Sequence, residues 1–171
     1  MTKRYKIYPK IFFLTIFALW ITVSLYLTYP RYDNYSTDRG YNISEADFKA
    51  VEFIEENSKS DYIVLANQNT SAASLSKYGF KKYFASNEEQ LFYYPLPTSS
   101  PLYSYYLDMV NKKPSRETMV KAMDLAGVKQ GYFAVSKYWW QSDQIINRAK
   151  LEADEWHKID DGEIYIFKYN L

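Results

Sequence analysis

The chain has 171 residues, with 21 Lys and Arg against 20 Asp and Glu, a formal net charge of +1, and no cysteine. That balance leaves no basic stripe for nucleic acid, and the missing thiols exclude cysteine nucleophiles, cysteine zinc sites and disulfide frameworks. Nineteen tyrosines beside only five glycines mean that much aromatic surface has to be buried or used in contact.

Residues 1–10 carry Lys3, Arg4, Lys6 and Lys10 without an acid, and residues 11–30 (IFFLTIFALWITVSLYLTYP) follow as twenty residues without a charge. At about 1.5 Å per residue a helix of that length reaches roughly 30 Å, the thickness of a bilayer's hydrocarbon layer. Thr15, Thr22, Ser24 and Thr28 can return their hydroxyls to the helix backbone. The basic leader predicts a cytoplasmic N-terminus and delivery of the rest of the chain to the outside, in a cell membrane crossed once. A cleavable signal peptide would have a shorter apolar region, about 7–15 residues, and a small-x-small cleavage site. Here Leu25, Tyr26 and Leu27 are bulky and Pro30 closes the run. The leader and the lack of a polar face also disfavour a helix buried in a soluble core. The expected organisation is a leader and transmembrane anchor at 1–30, a polar juxtamembrane linker at 31–43 and an extracytoplasmic domain at 44–171.

Without the four leader cations, 17 basic residues stand against 20 acids, a net charge of −3 for the exported part. Ser44 reads as a helix N-cap with Asp47 as the reciprocal acceptor and Ile43 and Phe48 as a hydrophobic staple; Phe48, Val51 and Ile54 continue one apolar face. DYIVLA at 61–66 reads as a strand buried on both sides. Residues 67–70 read as a turn, 71–78 as a short helix stopped by Gly79, and 80–84 as a second strand, so that strand, helix and strand form a parallel crossover. Residues 91–94 are a further strand, and the proline-rich stretch 95–101 is irregular. A tyrosine-dense helix at 102–110 follows, with Tyr103, Tyr106, Leu107 and Val110 at helical spacing. The next helix, 116–126, carries Met119, Val120 and Met123 and ends at Gly127. GYFAVSK at 131–137 is a strand and Tyr138, Trp139 and Trp140 are a loop. Ser142 or Asp143 caps a helix carrying Ile145, Ile146 and Ala149. The chain closes on a hairpin with a two-residue turn at Asp161 and Gly162, which sets Ile159 opposite Ile164 and Trp156 opposite Phe167. The expected fold is α/β: one N-terminal transmembrane helix plus a small mixed-sheet α/β domain ending in an antiparallel hairpin.

The succession DFKAVEFIEEN, DYIVLANQNTSAASLSKYGFKKYF, DLAGVKQGYFAVSK and DEWHKIDDGEIYIFKY resembles the soluble tail that follows the last membrane helix of GT-C class membrane glycosyltransferases, similar to dolichyl-phosphate-mannose protein mannosyltransferases. In such tails a helix of the form aleWIkent precedes a strand and a small helix, a GVdYvvv strand follows, and an nGevxiYk hairpin ends the domain; residues 51–57, 127–136 and 161–168 stand at those places. The resemblance covers residues 44–169 and consists of packing and turn features. It implies a lipid-linked-sugar glycosyltransferase context. In that class the catalytic acid lies in the first external loop among many membrane helices, whereas this chain has a single apolar run. Asp33 and Asp38 follow that run without such a cavity and read as linker charges. The resemblance therefore implies a non-catalytic accessory or a detached C-terminal part of such an enzyme, partnered by a multi-spanning subunit. The alternative is an independent cell-envelope binding or scaffolding domain that recognises glycan or protein through aromatic loops.

The sequence offers no catalytic, cofactor or metal site. His157 is the lone histidine, which leaves no pair for zinc. The paired acids Glu55 and Glu56, Glu88 and Glu89, Glu152 and Asp154, and Asp160 and Asp161 fall on helix ends and turns; glycosidase chemistry would need two carboxylates about 5–10 Å apart across a cleft. No Gly-rich phosphate loop is present. Asn34, Asn42 and Asn69 begin N-glycosylation patterns. The candidate contact surface for a partner or glycan is aromatic: Tyr94, Thr98 and Ser99 on one side, and Tyr138, Trp139 and Trp140 on the other, since Tyr and Trp join an apolar body to a polar tip.

Overall fold

The computed structural model describes residues 7–28, 42–86 and 90–171. The leader cations Lys3, Arg4 and Lys6, the linker acids Asp33 and Asp38, Asn34 and the pair Glu88 and Glu89 lie outside the described residues. The chain divides into two units, residues 1–37 and 38–171.

In the first unit, helix α1 (Ile7–Thr28) spans 22 residues. Every residue from 11 to 27 is exposed, with large apolar side chains 40–76% accessible on all sides. Thr15 and Thr22 donate their hydroxyls to the carbonyls of Ile11 and Ala18, both at 2.9 Å, which lets two polar side chains sit on an apolar rod. Among the described residues no helix is long and apolar enough to cross a membrane.

The second unit is built on a four-stranded mixed sheet of order β1 (Tyr62–Leu65), β4 (Gln130–Ser136), β6 (Ile164–Asn170) and β5 (Glu155–Ile159). β1 and β4 are parallel, and β6 is antiparallel to both β4 and β5. Every residue of β1 and β4 is buried, which is why both read as unbroken apolar runs rather than alternating ones. Their side chains divide between two layers. Ile63, Leu65, Phe133, Val135 and Phe167 face one core, with α4 (Pro101–Leu107), α5 (Arg116–Ala126) and α6 (Ser142–Glu152). Tyr62, Val64, Tyr132, Ala134 and Ile166 face the other, with α2 (Glu45–Asn57) and α3 (Gln68–Tyr78). The result is a small α/β domain of three layers.

Local chemistry sets most boundaries. Ser44 and Asp47 close a full capping box at α2, and Ile43 before it stays 40% exposed. Gly127 ends α5 in the left-handed conformation. Gly131 lets α5 approach β4, since a Cβ there would meet Met119 Sδ at 2.7 Å. The hairpin has the expected register, Ile159 opposite Ile164 and Trp156 opposite Phe167. Its turn is wider than two residues: Asp160, Asp161 and Gly162 all take positive φ and form a 3₁₀ turn.

Other expectations change. Residues 80–84 do not form a parallel neighbour of β1; β2 (Tyr83–Ala85) pairs antiparallel with β3 (Gln90–Phe92) in a separate ribbon, and the parallel partner of β1 is β4. The ribbon reaches β1 through one bond, Val64 N–H to the Tyr93 carbonyl at 2.8 Å, which covers the open edge of the sheet. The stretch read as a turn at 67–70 already belongs to α3, because Asn67 accepts from the Thr70 N–H and acts as N-cap. Neither Ser142 nor Asp143 caps α6: Gln141, at φ 56°, holds the N-cap position, and Ser142 donates to the Lys137 carbonyl at 2.8 Å. The tyrosine helix α4 runs on into a π-turn at residues 108–112, and its buried stripe is Leu102, Tyr106, Met109 and Val110.

Candidate functional site

The candidate contact residues fall into three environments. Tyr94 is 0% exposed, packed edge-on to Tyr93 at 4.8 Å, so it presents no surface to a partner. Burial holds its phenol well above the ordinary tyrosine range. Thr98 and Ser99 are exposed on the loop that begins with the cis bond between Leu96 and Pro97. Tyr138 and Trp139 are half-buried, whereas Trp140 is 80% exposed. The two tryptophans therefore point apart: Trp139 packs against Tyr106 with ring centres 5.5 Å apart, and Trp140 stands in solvent. Tyr103 and Tyr106 stack on each other at 5.9 Å, and Tyr106 is core. No single aromatic platform is formed by these residues, because most of their ring area fills the two cores.

Tyr138 belongs instead to a buried polar node at the carboxyl ends of β1 and β4. Asn67, at the end of β1, donates to the Ser136 hydroxyl at 3.0 Å and to the Tyr138 hydroxyl at 2.5 Å. Its oxygen accepts from the Thr70 N–H, and the Thr70 hydroxyl donates to Asp47 at 2.8 Å. The other oxygen of Asp47 accepts from the Ser44 N–H at 2.9 Å and from the Ser44 hydroxyl at 2.8 Å. Asn69 bridges from the Tyr138 hydroxyl to the Asn42 carbonyl. Asp47 is 1% exposed, and it is held by hydroxyls, an N–H and the N-terminal dipole of α2. Open α/β sheets often bind ligands at the carboxyl ends of their strands. Here those groups satisfy one another, and burial raises the Tyr138 phenol further from ionisation. The node joins two helix starts to the sheet. The Asn69 pattern lies within it, whereas Asn42 is exposed.

Of the paired acids, Glu55, Glu152, Asp154 and Asp160 have structural partners. Glu55 accepts from the Tyr62 hydroxyl and lies 3.7 Å from Lys82. Glu152 accepts from Arg148 and from the Arg116 N–H, and Asp154 from Arg116 and the Asn170 N–H. Asp160 pairs with Lys49 at 2.7 Å. The His157 ring packs 4.7 Å from Phe53, with Glu155 3.8 Å from its Nε2. Among the described residues no three His, Cys, Asp or Glu side chains lie close enough together to hold a metal ion.

The open surface lies on the ribbon. Phe80 is 66% and Tyr83 42% exposed, and their rings stack with centres 6.2 Å apart and planes 16° apart. Beside them an open hollow of about 400 Å³ is lined by Leu75, Phe80, Tyr83, Gln90, Phe92, Leu96 and Pro97, none of them charged. The segment GFKKYF was legible as a strand by its aromatic content; the lysine pair inside it was the signal that its strand would lie at a surface. Leu96 and Pro97 bring one end of the proline-rich loop to this hollow, while Thr98 and Ser99 are not among its lining residues. No family model matches the chain, and neither a curated protein nor a solved structure matches it.

Proposed function

We propose that the chain is a single-pass, membrane-anchored binding module, with the N-terminus in the cytoplasm and the α/β domain outside. The observation that carries this is the contrast in α1, whose apolar side chains from 11 to 27 are exposed all round while the α/β unit buries its own. The uncharged run extends in sequence to Pro30. A helix apolar on every side is stable only where its surroundings are apolar too. In this reading the domain binds rather than catalyses, because the carboxylates of Asp47, Glu55, Glu152, Asp154 and Asp160 serve as cap, hydrogen-bond and ion-pair partners.

The partner we propose is a multi-spanning glycosyltransferase that uses a lipid-linked sugar, to which this chain is an accessory or a detached C-terminal part. What supports it is that the stretches carrying the GT-C resemblance are neighbours within one unit. Phe53 and Lys49 of α2 meet His157 and Asp160 of the hairpin, and β4 pairs along its length with β6. An independent envelope-binding domain is the second reading, favoured by Trp140, a large ring left 80% exposed on a tight turn. Carbonate washing and protease treatment of intact cells test the anchor: retention in the membrane with loss of the outer domain is expected, and release by carbonate overturns it. Purification in mild detergent followed by mass spectrometry tests the partner. A co-purifying multi-spanning protein supports the first reading, and recovery of the chain alone favours the second.

A further inference from the structure

The surface left unexplained is the ribbon edge at residues 79–85, where Phe80 and Tyr83 are exposed and stacked beside the uncharged hollow. We infer that this edge is a second, peripheral contact with the lipid surface, resting on the reading of α1 as the anchor. Within GFKKYFA two aromatic rings flank two lysines, and no acid interrupts them. Aromatic rings that combine with long amphipathic cations settle at the headgroup level of a bilayer, where the ring is dehydrated and the ammonium stays wet. Lys81 keeps that geometry, over the Tyr78 ring at 5.3 Å, whereas Lys82 lies over the buried Tyr62 ring at 4.3 Å and anchors the edge to the domain.

Charge selects the kind of surface. Lys77 pairs with Glu52 and Lys82 with Glu55, so the described ring of charges around the edge largely cancels. An anionic macromolecule gains little from such a rim, and a strongly cationic one gains nothing. A zwitterionic lipid surface, which asks only for apolar insertion and wet ammonium groups, matches it. α1 makes a bilayer the surface that is always at hand: from residue 28 to residue 42 an extended chain reaches at most about 50 Å. Contact made within that radius is intramolecular, so even a weak apolar edge is occupied for much of the time.

The absence of cysteine allows unique labelling. The full chain is reconstituted in phosphatidylcholine vesicles with a single environment-sensitive NBD label at Lys81→Cys, at Leu19→Cys in α1, or at Leu151→Cys, an exposed position on α6. Nitroxide-bearing phosphatidylcholine is then added to the lipid mixture. Loss of emission at positions 81 and 19 but not at 151 is the expected result, and adding Phe80→Asp to the labelled Lys81→Cys chain abolishes the loss at 81 without changing the unfolding midpoint. Quenching at 19 alone overturns the inference and leaves the anchor standing. Quenching at neither 19 nor 81 overturns both. Equal quenching at 81 and 151 overturns a contact specific to this edge. A blue shift at 81 without quenching means that another copy of the chain covers the hollow, and likewise overturns the lipid assignment.

Discussion

β4 and residues 11–27 of α1 are both uncharged and rich in large apolar side chains, yet the chain treats them in opposite ways. All seven residues of β4 are buried, between α5 and α6 on one face and the α2 layer on the other. The side chains of α1 from 11 to 27 are covered by nothing in the described structure. Hydrophobicity alone therefore does not separate a core element from a surface one. Neighbouring sequence does: β4 has amphipathic helices and partner strands to cover it, while α1 is preceded by a basic leader and followed by a polar stretch.

The sharpest break of this comparison is a matched pair of truncations. Phe133→Ala in β4 removes a ring in contact with Tyr106 and Phe167, and should lower the stability of the domain by about 3–5 kcal/mol in urea unfolding. Phe17→Ala in α1 should leave the urea midpoint of the domain unchanged and reduce only its retention in detergent or lipid. A large loss from the α1 variant would show that the two apolar runs are not independent.

The next effect concerns the polar node. Asp47→Ala removes the capping box and strands the Thr70 hydroxyl, with an expected loss of about 2–3 kcal/mol. Thr70→Val should cost less, about 1 kcal/mol, since Asp47 keeps its partners at Ser44. Gly127→Ala should cost about 1 kcal/mol from the left-handed backbone alone, because no atom lies within 4 Å of the added carbon.

The pH dependence is smaller still. Partial burial works against ionisation of Asp154, but the Asn170 N–H and the Arg116 guanidinium outweigh it and hold the carboxyl below its ordinary value. A depressed folded value stabilises above the unfolded pKa of about 3.9 and is lost as pH falls through the folded one. Unfolding midpoints should therefore drop as pH falls below about 4, and Asp154→Asn should flatten that part of the profile. Trp140→Ala, at the other extreme, should shift stability by less than about 0.5 kcal/mol, since an exposed ring contributes little to folding.

Local rules made much of the fold legible. The Ser44 and Asp47 capping box, the buried runs of β1 and β4, Gly127 and the register of the last hairpin each follow from a few adjacent residues. What the sequence hid was the choice of partner over distance. Residues 80–84 have strand-like composition, but nothing within them says that β3 rather than β1 will pair with β2. Asn67 looked like a turn residue because asparagine suits a turn and an N-cap alike; its cap bond from the Thr70 N–H is local, and only its bonds to Ser136 and Tyr138 depend on distant chain. The aromatic site was hidden for a related reason: a tyrosine's composition is the same whether its ring fills a core, as at Tyr94 and Tyr106, or faces solvent, as at Tyr83.

The bond from Asn69 to the Asn42 carbonyl has a mechanical meaning. It sits beside the Ser44, Asp47 and Thr70 links, so the first residues of the domain are stitched to the starts of two helices at once. A tug arriving through residue 42 loads those stitches in parallel, as in shear, instead of peeling α2 away one turn at a time. A load applied at residue 42 is thereby shared by both helices before it reaches the sheet.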